Sequence, residues 1–292
     1  MTGGASGGTA SVEYRRLATP EEYRAAEEVQ RAAWGFTTDG AVPHPIQRAF
    51  NDNGGLVLGA FAGVELVGMA LGFLGREEGR LFHYSHMTGV RPAWQNHHVG
   101  FGLKRFQRSE VLRQGLDEIR WTYDPLQSKN ARFNVRMLGG RPDRYHPRYY
   151  GAMGDAINEG LETDRVRLVW SLNEPRVEAR LEGDRPGTDE DLARLRASEP
   201  LVETAIGPAG LRRPAGVRPA GSPQLHLEIP FDLGNVRRRD RGSSRRWREM
   251  TREAFTRAFA SGYRVDDFAS IEVDGERRSF YFLTRSGAND AS

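Results

Sequence analysis

Residues 85–115 of this chain read SHMTGVRPAWQNHHVGFGLKRFQRSEVLRQG, and this stretch decides the fold. It predicts a strand, a glycine-bearing turn and a long helix in immediate succession. The start of a helix leaves backbone N–H groups without intrahelical partners and carries the positive end of the helix dipole. A phosphate can bind at such a start, and Gly100 and Gly102 would let it approach the backbone closely. The stretch therefore predicts an anion-binding helix start.

A second informative block covers residues 119–151, IRWTYDPLQSKNARFNVRMLGGRPDRYHPRYYG. We interpret residues 120–123 as a strand that Pro125 ends, because proline cannot donate to a strand ladder and restricts the residue before it. A helix is then predicted over residues 129–138. It should end at the glycine pair that follows, since glycine favours the position just after a helix.

In these two blocks the chain resembles the GNAT superfamily of acyl-CoA N-acyltransferases. The pyrophosphate loop of that superfamily follows the pattern Q/R-x-x-G-x-G/A between the fourth strand and the third helix. This chain offers QNHHVG from Gln95, with His98 at the first glycine position, or HHVGFG from His97, with both glycines in place. The W-T-x-D-P-L strand, the N-A-x-F-N helix start and the later Y-G pair look like one branch of predicted GNAT enzymes. The resemblance implies a mixed α/β GNAT fold over residues 12–172.

The same resemblance implies that acetyl-CoA or another acyl-CoA is the donor substrate and that no metal takes part. The residues that it implies for coenzyme binding lie on the fourth strand, on the following turn and on the third and fourth helices. They are Met87, Gly89, Val90, Gln95, His97, His98, Val99, Gly100, Phe101, Gly102, Asn130 and Phe133. Backbone N–H groups of residues 87–90 would bind the oxyanion at a bulge where Gly89 interrupts the strand. Asn130 would contact the pantetheine arm, or else cap its helix.

Acyl transfer to an amine needs a base that accepts the amine proton and an acid for the departing thiolate. His86 and Asp124 are the candidates for the base, and His86 has the better intrinsic pKa. Each has a structural alternative, since His86 could bond to backbone and Asp124 could cap the turn after its strand. The resemblance implies Tyr150 as the thiolate acid, with Tyr149 and Tyr145 as neighbours that could substitute.

The reaction that the resemblance implies is N-acylation of a small amine such as an amino acid, with an acetyl or succinyl group. A carboxylate on either reactant should face an arginine. Arg132, Arg136 and Arg141 lie near the family's cleft, and the sequence does not choose among them. Two other classes stay open: a catalytically silent acyl-CoA-binding protein and an arginine-rich nucleic-acid-binding module.

The charge pattern argues against the nucleic-acid alternative. The 292 residues carry a net charge of +3, and among 42 basic residues only Lys104 and Lys129 are lysines. The arginines are spread over the whole chain, whereas a nucleic-acid footprint is clustered. The densest run, RRRDRGSSRRWR at 237–248, favours a solvated loop leading into a helix. A nucleic-acid partner is therefore not expected.

The absence of cysteine excludes disulfides, thiolate zinc sites and cysteine nucleophiles. The first residues, MTGGASGGTAS, lack the basic and apolar regions of a signal peptide, so a cytoplasmic location is expected. Residues 55–75, GLVLGAFAGVELVGMALGFLG, are long enough to cross a bilayer. Their six glycines and a turn at 62–65 instead favour two buried antiparallel strands, so no membrane partner is expected.

The remaining pattern suggests how the chain is organised. Thr19-Pro20-Glu21-Glu22 predicts a capped helix start after a strand at 12–16, and that helix should end at Gly35 with Trp34 either in the core or over the cleft. A C-terminal strand-helix-strand-strand unit should pack on the core or on a second subunit, which would make a homodimer. The expected segments are a tail at 1–11, the GNAT domain at 12–172, a proline- and glycine-rich arm or linker at 173–224 with one helix at 188–196, the C-terminal α/β extension at 225–285 and a tail at 286–292.

Overall fold

The computed structural model describes residues 11–35, 40–151, 162–207 and 210–285. Within these ranges the chain divides into two compact units, the first up to Ile119 and the second from Arg120. The mixed α/β fold class is confirmed, because both units combine helices with strands and the second has parallel as well as antiparallel pairs. In the parts of the chain that the structure describes, no helix is both long and apolar enough to cross a membrane.

The first unit consists of antiparallel strands in the order β1-β2-β3-β4 with helices packed on them. A fifth strand then carries the chain from the first unit into the second. The elements are β1 (Val12–Arg16), α1 (Pro20–Trp34), α2 (His44–Asp52), β2 (Leu56–Ala62), β3 (Glu65–Glu77), β4 (Arg80–Val90), a 3-10 turn (Pro92–Trp94), α3 (Val99–Arg113) and β5 (Glu118–Tyr123).

The segment that imitates a membrane span is the hairpin of β2 and β3. The two strands pair antiparallel from Leu56 opposite Gly72 to Ala62 opposite Glu65, with the turn at the predicted place. Most residues of both strands are buried, which explains the long apolar run without a membrane. The prediction of two buried strands is confirmed.

Helix α1 covers the core of this unit. It begins at the predicted capping box and ends at Gly35, which takes the left-handed conformation with φ 67°. Its buried face packs with apolar residues from the neighbouring strands and from the β1–α1 connection. This cluster contains Leu17, Tyr23, Ala26, Val29, Val57, Phe61, Leu66, Met69 and Leu71.

The second unit holds three groups of strands, in the orders β5-β7-β6, β10-β9 and β12-β13-β11-β8. A short helix after β5 continues as a π-helical segment over Arg132–Met137. The elements are α4 (Ser128–Ala131), the π-helix (Arg132–Met137), β6 (Arg141–His146), β7 (Arg165–Ser171), α5 (Pro175–Glu182), α6 (Thr188–Ala197), β8 (Glu199–Pro200), β9 (Val202–Ile206), β10 (Arg212–Val217), β11 (Gln224–Ile229), α7 (Leu233–Arg239), α8 (Arg241–Ala260), β12 (Tyr263–Val273) and β13 (Glu276–Arg285).

The predicted strand-helix-strand-strand unit is present as β11, α8, β12 and β13. The expectation of a largely structureless run at 173–224 is wrong. Helix α6 lies where one helix was predicted, but α5 and three strands also form in this segment. The strands were missed because Pro214 and Gly216 lie inside β10, at a bulge in its pairing with β9, and both residue types usually mark loops. The domain boundaries themselves stay a prediction.

Candidate functional site

The start of α3 has no side-chain cap. Its N-cap residue is His98, which takes the left-handed conformation with φ 59° and ψ 8°, and no side chain accepts a cap hydrogen bond there. The Gly102 N–H donates to the His98 carbonyl at 2.9 Å, which is the first bond of the helix. The backbone N–H groups of residues 99–101 therefore lie before the helical ladder and can bind an anion.

Two residues of the turn before α3, Asn96 and His98, have positive φ, at 66° and 59°. In the register from Gln95, His98 stands where the expected pattern has its first glycine, so a positive φ at this position fits that register. Glycine adopts that conformation without strain, whereas histidine pays a cost for its Cβ. His97 and His98 are exposed, and the Gln95 side chain donates to the Val90 carbonyl at 3.3 Å.

Gly100 and Gly102, both in the first turn of α3, have different roles. A Cβ at Gly100 would meet only the Val90 side chain, at 3.8 Å, so the space above Gly100 is open. A Cβ at Gly102 would lie 2.1 Å from the Tyr14 hydroxyl, so Gly102 makes room for a side chain of β1. The expected close approach of a ligand fits Gly100. Gly102 instead has a structural role, because it makes room for Tyr14 and its N–H is already bonded to the His98 carbonyl. Gly102 is therefore not part of the anion site.

Buried side chains hold the start of α3 against the strands. Val99 and Leu103 are fully buried, and both lie within 3.2 Å of where a Cβ of Gly68 would be. Gly68 of β3 thus lets the helix approach the sheet closely. Phe101, between these two anchors, is half-buried. The position of the open amides follows from this packing.

The bulge in β4 lies at His86, and the expectation of a bulge at Gly89 is wrong. Leu71 pairs with Met87 and Gly72 pairs with Ser85, which leaves His86 as the extra residue. Gly89 pairs regularly with Met69. The physical reason for that glycine is Trp34, because a Cβ at Gly89 would lie 2.7 Å from the indole ring.

The bulge turns His86 toward two aromatic rings. Its ring centroid lies 6.1 Å from Phe73 and 6.5 Å from Tyr84. His86 is exposed, but desolvation by the protein atoms around its ring lowers the pKa of His86. His86 is therefore neutral at pH 7 and able to accept a proton. Met87 and Val90, predicted to contribute oxyanion N–H groups, lie half-buried on the same strand.

A buried polar cluster under α3 was not predicted. Lys104 of α3 donates to Ser85 Oγ at 2.7 Å and to Gln107 Oε1 at 3.0 Å, and Gln107 Nε2 lies 3.2 Å from His83 Nε2. Burial lowers the pKa of Lys104 to about 7. Burial, and then the charge of Lys104, lower the pKa of His83 to about 3. A lysine on an amphipathic helix is normally read as solvent-facing, so the sequence carries no signal for this cluster.

Asp124, the second candidate base, is held in a buried ion pair in the second unit. Its Oδ1 and Oδ2 accept from Arg248 at 2.6 and 2.8 Å, and Oδ1 also accepts the Leu126 N–H at 3.0 Å. The structural alternative, a carboxylate that shapes the turn after β5, is the one that these contacts describe. Both oxygens of Asp124 are engaged in these contacts, so the structure favours the turn-shaping role of Asp124 over the role of base.

Asn130 and Phe133 lie on either side of the junction between α4 and the π-helix. Asn130 is exposed and Phe133 is half-buried, and the Phe133 carbonyl accepts the Leu138 N–H at 3.0 Å. π-helical turns inside helices occur often at functional sites. The expected helix over residues 129–138 is thus present, with a widened second half. The roles of Asn130 and Phe133 in coenzyme binding stay a prediction.

Tyr150 is accessible and its alternative Tyr145 is not. Tyr150 is 42% exposed, and its ring centroid lies 4.7 Å from that of Tyr149. The Arg165 guanidinium lies 5.2 Å from the Tyr150 ring centroid. Tyr145 is buried and donates to Asp164 at 2.6 Å. Burial and the Asp164 carboxylate raise the pKa of Tyr145. Tyr145 is therefore a structural residue, whereas Tyr149 and Tyr150 can both reach a ligand.

The three arginines expected near the cleft have different surroundings. Arg136 is buried and donates to Asp191 and Asp267, at 2.7 and 2.9 Å, so it cannot meet a substrate carboxylate. Arg141 donates to Glu174 at 2.6 Å. Arg132 is exposed. Within the described parts of the chain, no group of three or more acidic or histidine side chains has the geometry of a metal site.

Comparison with known proteins gives partial structural similarity. No family model matches the chain, and no curated protein matches it. The ribosomal-protein-S18-alanine N-acetyltransferase from Escherichia coli is 12% identical, with a TM-score of 0.45 over 56% of this chain and 96% of that one. The yncA protein from Salmonella typhimurium, solved with its cofactor acetyl-CoA, is 20% identical, with a TM-score of 0.45 over 56% of this chain and 95% of that one. A Desulfovibrio desulfuricans protein described as a GNAT-family acetyltransferase is 16% identical, with a TM-score of 0.44 over 56% and 99%.

Proposed function

We propose that this chain is an acyl-CoA-dependent N-acyltransferase that moves an acetyl or succinyl group from coenzyme A to the amine of a small molecule such as an amino acid. The observation that carries the proposal is the uncapped start of α3, the first α-helix after β4. Three successive amides, the positive end of a 15-residue helix and the open space above Gly100 suit a diphosphate.

Two side chains supply the proton transfers in this proposal. The amine nitrogen attacks the thioester carbonyl carbon, and neutral His86 accepts the proton that the amine loses. The C–S bond then breaks, and Tyr150 gives its hydroxyl proton to the departing thiolate sulfur. The products are the amide and coenzyme A with a free thiol, so atoms and charges balance. The lowered pKa of His86 keeps it unprotonated at neutral pH.

Calorimetry with acetyl-CoA, succinyl-CoA and free coenzyme A tests the binding half of the proposal. Binding of all three with similar affinity is expected, because the diphosphate is common to them. A protein that binds none of the three would refute the proposed function. A clear preference for succinyl-CoA would assign the acyl group and would favour Arg132, the exposed arginine, as its partner.

Thiol release on addition of a panel of amines tests turnover. Tyr150→Phe and His86→Gln should each lower the rate by about 10²–10⁴-fold with coenzyme A affinity retained. Tyr149→Phe tests the neighbour that could substitute: it should leave the rate within about threefold of wild type, and a loss as large as that of Tyr150→Phe would assign the acid role to Tyr149 instead. Binding without thiol release from any amine would instead support the silent acyl-CoA-binding alternative.

A further inference from the structure

Helix α8 carries two arginines one turn apart that point into the second unit. Arg248 is 2% exposed and Arg252 is half-buried. Each forms a two-point contact with a carboxylate that is distant in sequence: Arg248 with Asp124, and Arg252 with Asp164. Most other arginines of this helix are exposed, so these two contacts distinguish its inner face.

The Arg248 contact holds the turn after β5. Asp124 receives two hydrogen bonds from Arg248 and one from the Leu126 N–H, as given above. The Tyr281 hydroxyl donates to the Pro125 carbonyl at 2.8 Å, and Ser128 Oγ lies 2.8 Å from Ser279 Oγ. Residues 124–128 are thus fixed by α8 and β13 together. This turn leads directly into α4, which carries Asn130.

The Arg252 contact holds the segment that carries Tyr150. Arg252 Nε and Nη2 donate to the two oxygens of Asp164, each at 2.8 Å. Asp164 also accepts the Arg148 N–H at 2.9 Å. Thr163, the preceding residue, accepts the Tyr149 N–H with its carbonyl at 3.1 Å and the Tyr150 N–H with its hydroxyl at 3.2 Å.

The chemistry of these contacts favours positioning over stability. Burying a charged pair costs desolvation that the attraction often only offsets, so apolar residues of the same volume would stabilise the fold at least as well. A guanidinium paired through two parallel bonds fixes distance and orientation together. Burial opposes the charge on Arg248, but Asp124 outweighs it and raises the pKa of Arg248.

We infer that α8 is a positioning element for the acyltransferase site. Arg248 orients the turn that leads to Asn130, and Arg252 orients the Tyr149–Tyr150 segment. The inference rests on the proposed function, because it assigns these two segments to coenzyme binding and to thiolate protonation. It also gives the C-terminal part of the chain a role, since α8 (Arg241–Ala260) lies far along the chain from both segments.

Amide hydrogen exchange resolved by residue tests the positioning in the full-length protein without any ligand. Arg248→Met should speed exchange of the Leu126 amide by at least about tenfold and leave the Tyr149 and Tyr150 amides within about twofold. Arg252→Met should do the reverse. The matched control is Arg257→Met on the same helix, where an exposed arginine pairs with Glu253 at 2.6 Å, and it should change neither segment.

A paired substitution separates positioning from a merely structural role. Asp124→Asn combined with Arg248→Met removes the buried charges together, so it should regain most of the thermal stability that Arg248→Met loses. The Leu126 amide should still exchange quickly, because nothing replaces the two-point contact. Restored protection in this double variant, or equal effects of Arg248→Met and Arg252→Met on both segments, would overturn the inference.

Ligand measurements then distinguish failure of this inference from failure of the proposed function. If wild-type protein binds coenzyme A, Arg248→Met should weaken that affinity by about tenfold with little change in kcat. Arg252→Met should lower kcat by about tenfold at unchanged affinity. Unchanged binding and turnover in both variants overturn the positioning role alone. A wild-type protein that does not bind coenzyme A overturns the proposed function, and the inference fails with it.

Discussion

Helices α1 and α3 are both 15 residues long and both lie in the first unit, but they begin in opposite ways. At α1, the Glu22 N–H donates to Thr19 Oγ1 at 3.3 Å, and the Glu22 carboxylate accepts the Thr19 N–H, also at 3.3 Å. Acidic residues occupy its first turn. At α3 the first turn has no acidic residue, no side chain caps it, and its N-cap is a strained histidine.

In the proposed function, this difference separates a helix start that serves only the fold from one that binds a ligand. A side-chain cap is worth about 1 kcal/mol, so an uncapped start is a local cost. The buried faces of the two helices differ in the same direction. Helix α1 buries one polar residue, Gln30, beside Tyr23, Ala26 and Val29. Helix α3 buries three polar or charged residues, Lys104, Gln107 and Glu110, beside Val99, Leu103 and Val111. Such departures from local rules concentrate at functional sites.

The largest effect on coenzyme A affinity is expected when a negative charge is placed at the open start of α3. Gly100→Asp places a carboxylate among the three amides, where it should repel the diphosphate and lower coenzyme A affinity by about 100-fold. The same carboxylate favours the helix dipole, so the unfolding midpoint should not fall. Calorimetry and denaturant unfolding measure the two effects. The control Gly100→Ala should lose at most about tenfold in affinity, and an unchanged affinity in Gly100→Asp would contradict the site.

A second substitution sharpens the contrast between the two glycines of α3. Gly102→Ala puts a Cβ against the Tyr14 ring and should destabilise the protein by about 2 kcal/mol, measured by denaturant unfolding. Tyr14→Leu in the same chain should recover part of that loss. A Gly102→Ala variant as stable as wild type would show that the start of α3 does not depend on this packing.

The buried lysine of α3 gives a pH effect that α1 lacks. Its folded-state pKa of about 7 lies below the ordinary value of 10.5, so the unfolded chain binds more protons above pH 7 and stability rises with pH. Between pH 7 and 8 the gain should be about 1 kcal/mol. Lys104→Met should remove this rise. Denaturant unfolding at the two pH values measures it, and a rise of equal size in the variant would assign it to another group.

The smallest effect is expected at the capped start. Thr19→Ala removes the hydroxyl of the capping box and should cost about 0.5–1 kcal/mol of stability. Coenzyme A affinity should stay within about twofold of wild type, because α1 binds no ligand in the proposed function. Thr19→Ser, which keeps the hydroxyl, is the matched control. A loss of coenzyme A affinity in Thr19→Ala would show that the start of α1 also affects binding, which contradicts the proposed difference between the two helices.

Local patterns predicted the elements that depend on neighbouring residues. The capping box of α1, its stop at Gly35 and the β2–β3 hairpin each follow from residues within one turn or one strand of each other. The prediction failed where pairing decides the structure. Strand β10 contains Pro214 and Gly216 and forms because β9 pairs with it, and the bulge at His86 reflects register against β3.

The candidate site divides in the same way. The start of α3 was recognisable from Gly100 and Gly102, and the structure shows that no side chain caps this helix start. The surroundings of Asp124 were not recognisable, because its partner Arg248 lies 124 residues later and appears in the sequence as one of many arginines. The sequence did not choose among Arg132, Arg136 and Arg141 for the same reason, since the partners of Arg136, Asp191 and Asp267, come from elements far along the chain.

The sequence alone determined the bounds of locally marked elements such as α1 and the β2–β3 hairpin, because caps, glycine stops and apolar periodicity act over a few residues. It also determined that a helix with open amides follows β4. Tertiary structure decided which charges are buried, which carboxylate is paired and which glycine faces open space. Those outcomes depend on desolvation and on close contacts between residues brought together only by folding, and no local pattern records them.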